Sequence, residues 1–338
     1  MRDDALLFQI AKMHFEEGFS QGEVAQKLGL SRAKVNRLLQ TAKDRGIVRV
    51  LVVPKLGHAY LRGIEDDLKA AYNLQDVLLI PGREGIIKGQ LNLGTQEAIV
   101  ERLAHAAAEY LDRQLTDEDT LCINWGRVMR AVVDHLHPSK TLSGLKVLPL
   151  LGNLSAQPDS FEANLLAQEV ALAYGAEFSW LIAPAIVRNL QQQEVVRALP
   201  LVQTTLAQIS QATIAITAIG HADAKHSTVV KRGWLDSAEI EALIEAGAVG
   251  EICSWWFDVT GREIRDDKIY PIGLGLAGLK KMVQEGKKVI AVVGADRQRL
   301  EPVRVALLSR LVNILISDHI TAQYLLSQAS SAKFTNSR

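Results

Sequence analysis

From about residue 76 onward, short unbroken apolar runs alternate with stretches at helical spacing, and this alternation restricts the fold more than any other feature. The runs lie at 76–80 (DVLLI), 120–124 (TLCIN), 145–150 (LKVLPL), 213–219 (TIAITAI), 288–293 (KVIAVV) and 313–317 (NILIS). A strand that is apolar on both faces must be covered on both, as a parallel strand between helices is. Helical stretches fall between the runs, near 95–112, 126–136, 161–174, 190–210, 236–246, 276–285, 299–310 and 319–328. The pattern predicts a doubly wound, Rossmann-like α/β domain.

The first fifty residues read differently. Leu6, Leu7, Ile10, Ala11 and His14 recur at helical spacing over 5–18, and Gly18 is a fitting stop. Ser20-Gln21-Gly22-Glu23 has the form of a capping box, which starts a second helix with Val24, Ala25 and Leu28 inward. Gly29-Leu30 turns the chain, and Ser31 caps a third helix reaching about Lys43. That third helix carries an apolar stripe (Val35, Leu38, Leu39) and a polar face (Arg32, Lys34, Asn36, Arg37, Gln40). A small residue, a glycine turn, an apolar residue after it and a two-faced helix together predict an all-α helix-turn-helix domain.

Charge agrees. Between Lys27 and Arg49, seven Lys/Arg stand against one acid, a net of +6 in a chain whose 38 basic and 38 acidic residues cancel overall. Such a patch attracts phosphates. The start of a recognition helix enters the major groove. Ser31, Arg32 and Lys34 therefore lead the candidate contacts to double-stranded DNA, with Gln21, Asn36 and Arg37 beside them. Arg32 suits a guanine edge and Asn36 an adenine. Residues 46–54 then read as a short strand stopped by Pro54, 54–57 as a hinge, and Tyr60–Tyr72 as a linking helix. The expected domains are 1–54 and 55–338.

The 338 residues leave room for two or three domains. Cys122 and Cys253 stand far apart in apolar surroundings, with no clustered Cys/His set, so neither a disulfide framework nor a metal site is expected. The acidic start, Met1-Arg2-Asp3-Asp4, is unlike a secretory signal, and no apolar run reaches the roughly 20 residues that span a bilayer. These features predict a cytoplasmic protein with no membrane partner and no cofactor.

Ligands of open α/β sheets bind beyond the carboxyl ends of the strands. Four such ends carry a glycine beside polar side chains: Asn124-Trp125-Gly126-Arg127, Leu151-Gly152-Asn153, Gly220-His221-Ala222-Asp223 and Gly294-Ala295-Asp296-Arg297. Together they predict a polar pocket.

With these motifs in place, the chain resembles the SorC family of sugar-responsive bacterial transcription regulators. The resemblance runs through SQGEVAQKLGLSRAKVNRLLQTAKDRGIVRV, CINWGRVM, VLPLLGN, AIGHAD, GAVGEICSWWFDVTG, IAVVGADRQR and NILISDHITAQYLL, in order over about 300 residues. It implies a homotetramer that binds operator DNA. It also implies an effector domain similar in fold to sugar-phosphate isomerases, binding a small carbohydrate without turning it over. The effector contacts it implies are Asn124, Trp125, Gly126, Arg127, Gly152, Asn153, Glu251 and Arg299, with Glu162 and His221 as weaker matches. Departures from the family pattern are Val128 for a threonine, Arg299 for a lysine, Leu151 for an arginine, Asp296 for a glycine and Glu251 for an aspartate. They favour an unphosphorylated or singly charged effector. The competing reading is a sugar-phosphate isomerase or deaminase with an appended DNA-binding domain. It would need a positioned acid and base, for which Asp223, Glu251 and His221 are the candidates; no catalytic constellation is visible in the sequence.

Overall fold

The computed structural model describes residues 2–15, 17–45, 47–48, 58–82, 96–153, 160–224, 227–231, 233–294 and 296–335. The chain divides into two compact units, Met1–Pro54 and Lys55–Arg338.

The smaller unit contains α1 (Arg2–Phe15), α2 (Gln21–Leu28) and α3 (Arg32–Asp44). Leu7, Ile10, Ala11, Val24, Ala25, Val35, Leu39 and Ala42 form its core. The capping box is present: Ser20 N–H donates to Glu23 Oε2 at 2.8 Å, and Glu23 N–H donates to Ser20 Oγ at 3.3 Å. Such a cap is worth about 1 kcal/mol. Gly29 turns out of α2 at φ +63°, which lets Leu30 N–H reach the Ala25 carbonyl at 2.9 Å. The buried stripe of α3 is Val35, Leu39 and Ala42, at i, i+4 and i+7, while Leu38 is only partly buried. Helix α1 ends at Phe15, before Gly18. Ile47 and Val48 form a bend that packs on this core instead of the expected strand. The rest of that strand (Gly46 and 49–54) and the hinge at 54–57 lie outside the described residues.

The larger unit runs, in chain order, α4 (His58–Tyr72), β1 (Asp76–Ile80), α5 (Gln96–Gln114), β2 (Thr120–Ile123), α6 (Arg127–Asp134), β3 (Lys146–Pro149), α7 (Ala163–Tyr174) and β4 (Glu177–Phe178). It continues through β5 (Ile186–Val187), α8 (Leu190–Ala198), α9 (Pro200–Ile209), β6 (Ile214–Thr217), β7 (Gly220–His221), α10 (Thr228–Lys231), α11 (Ser237–Glu245), β8 (Gly250–Ile252) and β9 (Trp255–Phe257). It closes with β10 (Glu263–Ile264), β11 (Tyr270–Pro271), α12 (Gly275–Gln284), β12 (Lys288–Val292), α13 (Leu300–Leu308), β13 (Ile314–Asp318) and α14 (His319–Thr335).

Among the described residues, seven strands make one parallel sheet in the order β1-β13-β12-β6-β2-β3-β4. Alternate side chains of a strand point to opposite faces. Cys122, Leu148, Ala215, Ala291 and Leu315 join a core with α4, α12, α13 and α14. Leu121, Val147, Ile216, Ile290 and Ile316 join the other, with α5, α6 and α7. The fold is thus the doubly wound α/β arrangement. From β2 the chain proceeds to β3 and β4 on one side, then returns to β6 on the other. The strand order therefore reverses between β2 and β6, where two turns diverge and leave a crevice.

Three local expectations differ. The 190–210 helix is broken into α8 and α9, because Leu199, ahead of Pro200, takes an extended conformation (φ −62°, ψ 128°). Helix α14 runs on to Thr335, past the expected end near residue 328. A small antiparallel sheet, β10-β9-β8-β7, has strands of two or three residues, too short to carry a legible period. The linking helix, α4, buries Leu61, Ile64 and Leu68, and the Tyr72 hydroxyl donates to the Leu325 carbonyl of α14 at 2.7 Å. No helix among the described residues is long and apolar enough to cross a membrane.

Candidate functional site

A cavity of about 340 Å³ opens where β2, β6 and β12 end. Asn124, Trp125, Gly126, Arg127, His221, Glu251 and Arg299 all line it. Three of the four glycine turns therefore converge, and the strand order explains which: β2 and β6 flank the reversal and β12 lies next to β6.

The β3 turn is used otherwise. Gly152 N–H donates to the Ile272 carbonyl at 3.0 Å, and Asn153 N–H to the Ala183 carbonyl at 2.8 Å. A Cβ on Gly152 would lie 2.3 Å from the Ala183 carbonyl oxygen, so this glycine permits backbone to meet backbone. Asn153 Oδ1 accepts from Asn164 Nδ2 at 2.6 Å. Glu162 is the N-cap residue of α7 and is buried. Gly152, Asn153 and Glu162 are not among the residues that line the cavity. The neighbour of Glu162, Phe161, does line the cavity, and the Phe161 carbonyl accepts from Gly126 N–H at 2.9 Å.

The β2 turn is shaped from within. Asn124 Nδ2 donates to Thr217 Oγ1 at 2.8 Å, and its Oδ1 accepts from Trp125 N–H at 2.7 Å. Both ends of the amide are engaged, so Asn124 ties β2 to β6 and shapes the loop. Gly126, at φ +106°, starts α6 with no side-chain cap. The first N–H groups of α6 thus have no side-chain acceptor from that position, and a helix start of this kind favours an anion or an oxygen lone pair. Arg127 is exposed at the rim.

The charged groups partly offset one another. Asp296 Oδ1 accepts from Gln298 N–H at 3.0 Å, while its Oδ2 lies 3.4 Å from Arg299 Nε. The aspartate therefore both caps a short helical turn and partly discharges the arginine. Burial pulls the Arg299 pKa down, with Asp296 and Glu251 opposing and Arg127 reinforcing. Glu251 Oε2 accepts from Ser254 N–H at 2.8 Å. Burial raises its pKa against that hydrogen bond and the charge of Arg299. The Glu251 carboxylate also lies over Gly220, where a Cβ would come within 2.2 Å of Oε1. His221 Nε2 stands 3.5 Å from Asp223 Oδ2; burial and Arg299 lower its pKa.

Sequence reasoning missed Arg130, Phe161 and Ser227 in the lining. Arg130 is committed elsewhere, to Glu169 at 2.6 and 2.8 Å and Asp134 at 2.9 Å. It stands one helical turn beyond Gly126, a spacing that could have flagged it. Of the two adjacent tryptophans, Trp256 lines the cavity and Trp255 does not.

In the smaller unit, Ser31, Arg32, Lys34, Asn36 and Arg37 are exposed and Gln21 partly so. Ser31 Oγ accepts from Lys34 N–H at 3.2 Å, which fixes the start of α3 and leaves its hydroxyl proton free to donate.

A buried histidine beside the sheet is expected to make the larger unit acid-sensitive. Gly82 N–H donates to His319 Nδ1 at 2.7 Å, which requires that nitrogen unprotonated. Burial holds His319 below its ordinary 6.5. The unfolded chain takes up the proton first, so this stability is full above about pH 6.5 and is lost as pH falls through the folded value. Glu251 has the opposite sign: its raised pKa gives stability that is lost as pH rises through it. Urea midpoints measured from pH 7.5 to 5 are expected to fall less steeply in His319→Gln. Equal slopes would show that this contact does not govern the acid limb.

Fold and cavity together define a doubly wound small-molecule-binding domain on a chain that also carries a capped helix-turn-helix. The family described as "Putative sugar-binding domain" matches residues 60–327. The chain belongs to that family, the domain of SorC-type transcription regulators. It is 26% identical to the deoxyribonucleoside regulator of Bacillus subtilis over 95% of this chain and 97% of that one. It is also 26% identical to the erythritol catabolism regulatory protein EryD of Brucella abortus, over 96% and 98%. The full-length sorbitol operon regulator SorC of Klebsiella pneumoniae superposes with a TM-score of 0.70, at 22% identity, over 96% of this chain and 99% of that one.

Proposed function

We propose that this protein is a transcription regulator of a carbohydrate-catabolism operon. Residues 1–54 bind operator DNA, and residues 55–338 bind a small carbohydrate effector and associate, as a cytoplasmic homotetramer. The observation that carries this reading is the polar cavity at the sheet reversal in a chain that also carries a basic helix-turn-helix. The effector contacts are Gly126, Arg127, His221, Glu251 and Arg299, with Asn124 and Trp125 shaping the loop. The lining carries Arg127, Arg130 and Arg299 against Glu97, Glu101, Asp134 and Glu251, and Asp296 partly discharges Arg299 from outside it, which favours a free sugar, a polyol or a singly charged ligand over a bisphosphate. The ligand is bound and released unchanged, in keeping with relatives named as regulators. It acts by preferring one arrangement of the DNA-binding units over another.

Thermal denaturation of the full chain with free sugars, polyols and their phosphates tests the effector. A ligand at 100 times its dissociation constant adds about 2.7 kcal/mol. A shift only with bisphosphates would overturn the charge argument, and no shift with any of them the effector reading. For DNA, Arg32→Ala is expected to cost about 1–3 kcal/mol and to relax the preference at one base step. Arg45→Ala should weaken binding to all sequences alike. Equal losses on operator and random DNA for Arg32→Ala would remove that arginine from base reading.

A further inference from the structure

Helix α8 buries none of its nine residues; within it, Gln193 and Val196 alone are partly covered. A surface helix ordinarily hides an apolar stripe and turns polar residues outward. Here Leu190 and Val195, with Leu199 and Leu201 at the junction with α9, are 49–60% exposed. A second segment does the same. Burial alternates along 180–185: Leu181, Ala183 and Ala185 are buried, while Trp180, Ile182 and Pro184 face outward. Thr205 Oγ1 of α9 donates to the Trp180 carbonyl at 3.0 Å and stands one turn beyond Leu201, so the two segments adjoin. Their six large side chains leave on the order of 500 Å² of apolar surface uncovered, toward the upper end of what single chains show. The exposed Gln191 and Gln192 extend it toward the roughly 800 Å² per partner of a standard interface.

Charge points the same way. From Asn189 to Ile209 only Glu194 and Arg197 are charged, whereas α5, of similar length, carries six charged residues. Depletion of charge, more than apolar content, marks the middle of a protein–protein interface. The two charges are opposite in sign and three positions apart on one side of α8. The patch therefore has no net charge and offers nothing to DNA phosphates. A two-fold axis through such a face brings each charge to its opposite on the other copy. We propose that α8, the start of α9 and the 180–184 segment form the surface through which two copies of this chain associate. Helix α8 packs antiparallel on the same helix of the second copy, crossing near Val195, and Glu194 faces Arg197 of the partner subunit. This names the surface for the self-association proposed above, and it rests on that reading.

Light scattering and sedimentation velocity of the full chain test this. Val195→Glu is expected to halve the particle mass, with the far-UV circular dichroism of a folded protein, since position 195 is exposed within one chain. Glu194→Arg sets like charges against each other across the axis and should weaken association tenfold or more. Glu194→Arg combined with Arg197→Glu should restore it, a recovery that only contact between two copies can give. Wild-type mass in Val195→Glu would refute this surface and leave the homotetramer standing. Association lost in Glu194→Arg and not recovered in the double variant would refute the antiparallel pairing, as would a photo-crosslinker at position 195 that couples to a different protein. A wild-type chain that stays monomeric at every concentration would overturn this surface and the homotetramer together.

Discussion

Glu251→Gln is expected to weaken effector binding by about 10- to 150-fold while leaving the fold intact or slightly more stable. Hydrogen bonds to a charged partner are worth about 1.5–3 kcal/mol, and that range converts to this factor. The carboxylate lines the cavity and is held there by Ser254 N–H, an arrangement a glutamine oxygen can still accept. Burial already disfavours the charge, so a neutral isostere relieves that penalty in the free protein. Binding and stability should therefore move in opposite directions, as at sites kept for function. Calorimetry with the best ligand of the sugar panel, beside a thermal scan, reads both. Unchanged affinity would take Glu251 out of the contact set. Gly220→Val offers an independent check, since its Cβ would push the same carboxylate aside.

The second large effect falls on stability. Gly152→Ala should destabilise the larger unit by about 3 kcal/mol, the upper end of overpacking, and lower its urea midpoint. The added methyl meets the Ala183 carbonyl oxygen at 2.3 Å and the Pro184 carbonyl oxygen at 2.7 Å. These are backbone atoms, held by the Asn153–Ala183 and Ala185–Asn153 hydrogen bonds, and they cannot swing away as a side chain would. Ligand affinity of the folded fraction should change little. A protein of normal stability with lost affinity would instead place Gly152 against the effector.

These two residues show how differently the sequence and the fold speak. Glu251 and Gly152 both entered as effector contacts implied by the family resemblance. One reaches the cavity and the other is sealed in backbone contacts. Asp296, a departure from the family pattern, caps a short turn through Gln298 N–H and pairs with Arg299, and it is not among the residues that line the cavity. The helix-turn-helix was far more legible. Its caps, its turn glycine and the stripe of α3 depend on residues within four or seven positions of one another.

By itself, the sequence determined a two-part chain: a capped, basic helix-turn-helix and a parallel α/β domain, each written in short-range period, capping and charge. The tertiary structure alone decided which strand ends meet. Asn124 and Thr217, 93 residues apart, come within 2.8 Å because β2 pairs with β6. Pairing between strands is chosen by how both faces of the sheet are covered, a condition spread over the whole chain. That choice brought Arg127, His221, Glu251 and Arg299 into one cavity and turned Gly152 and Asn153 away from it.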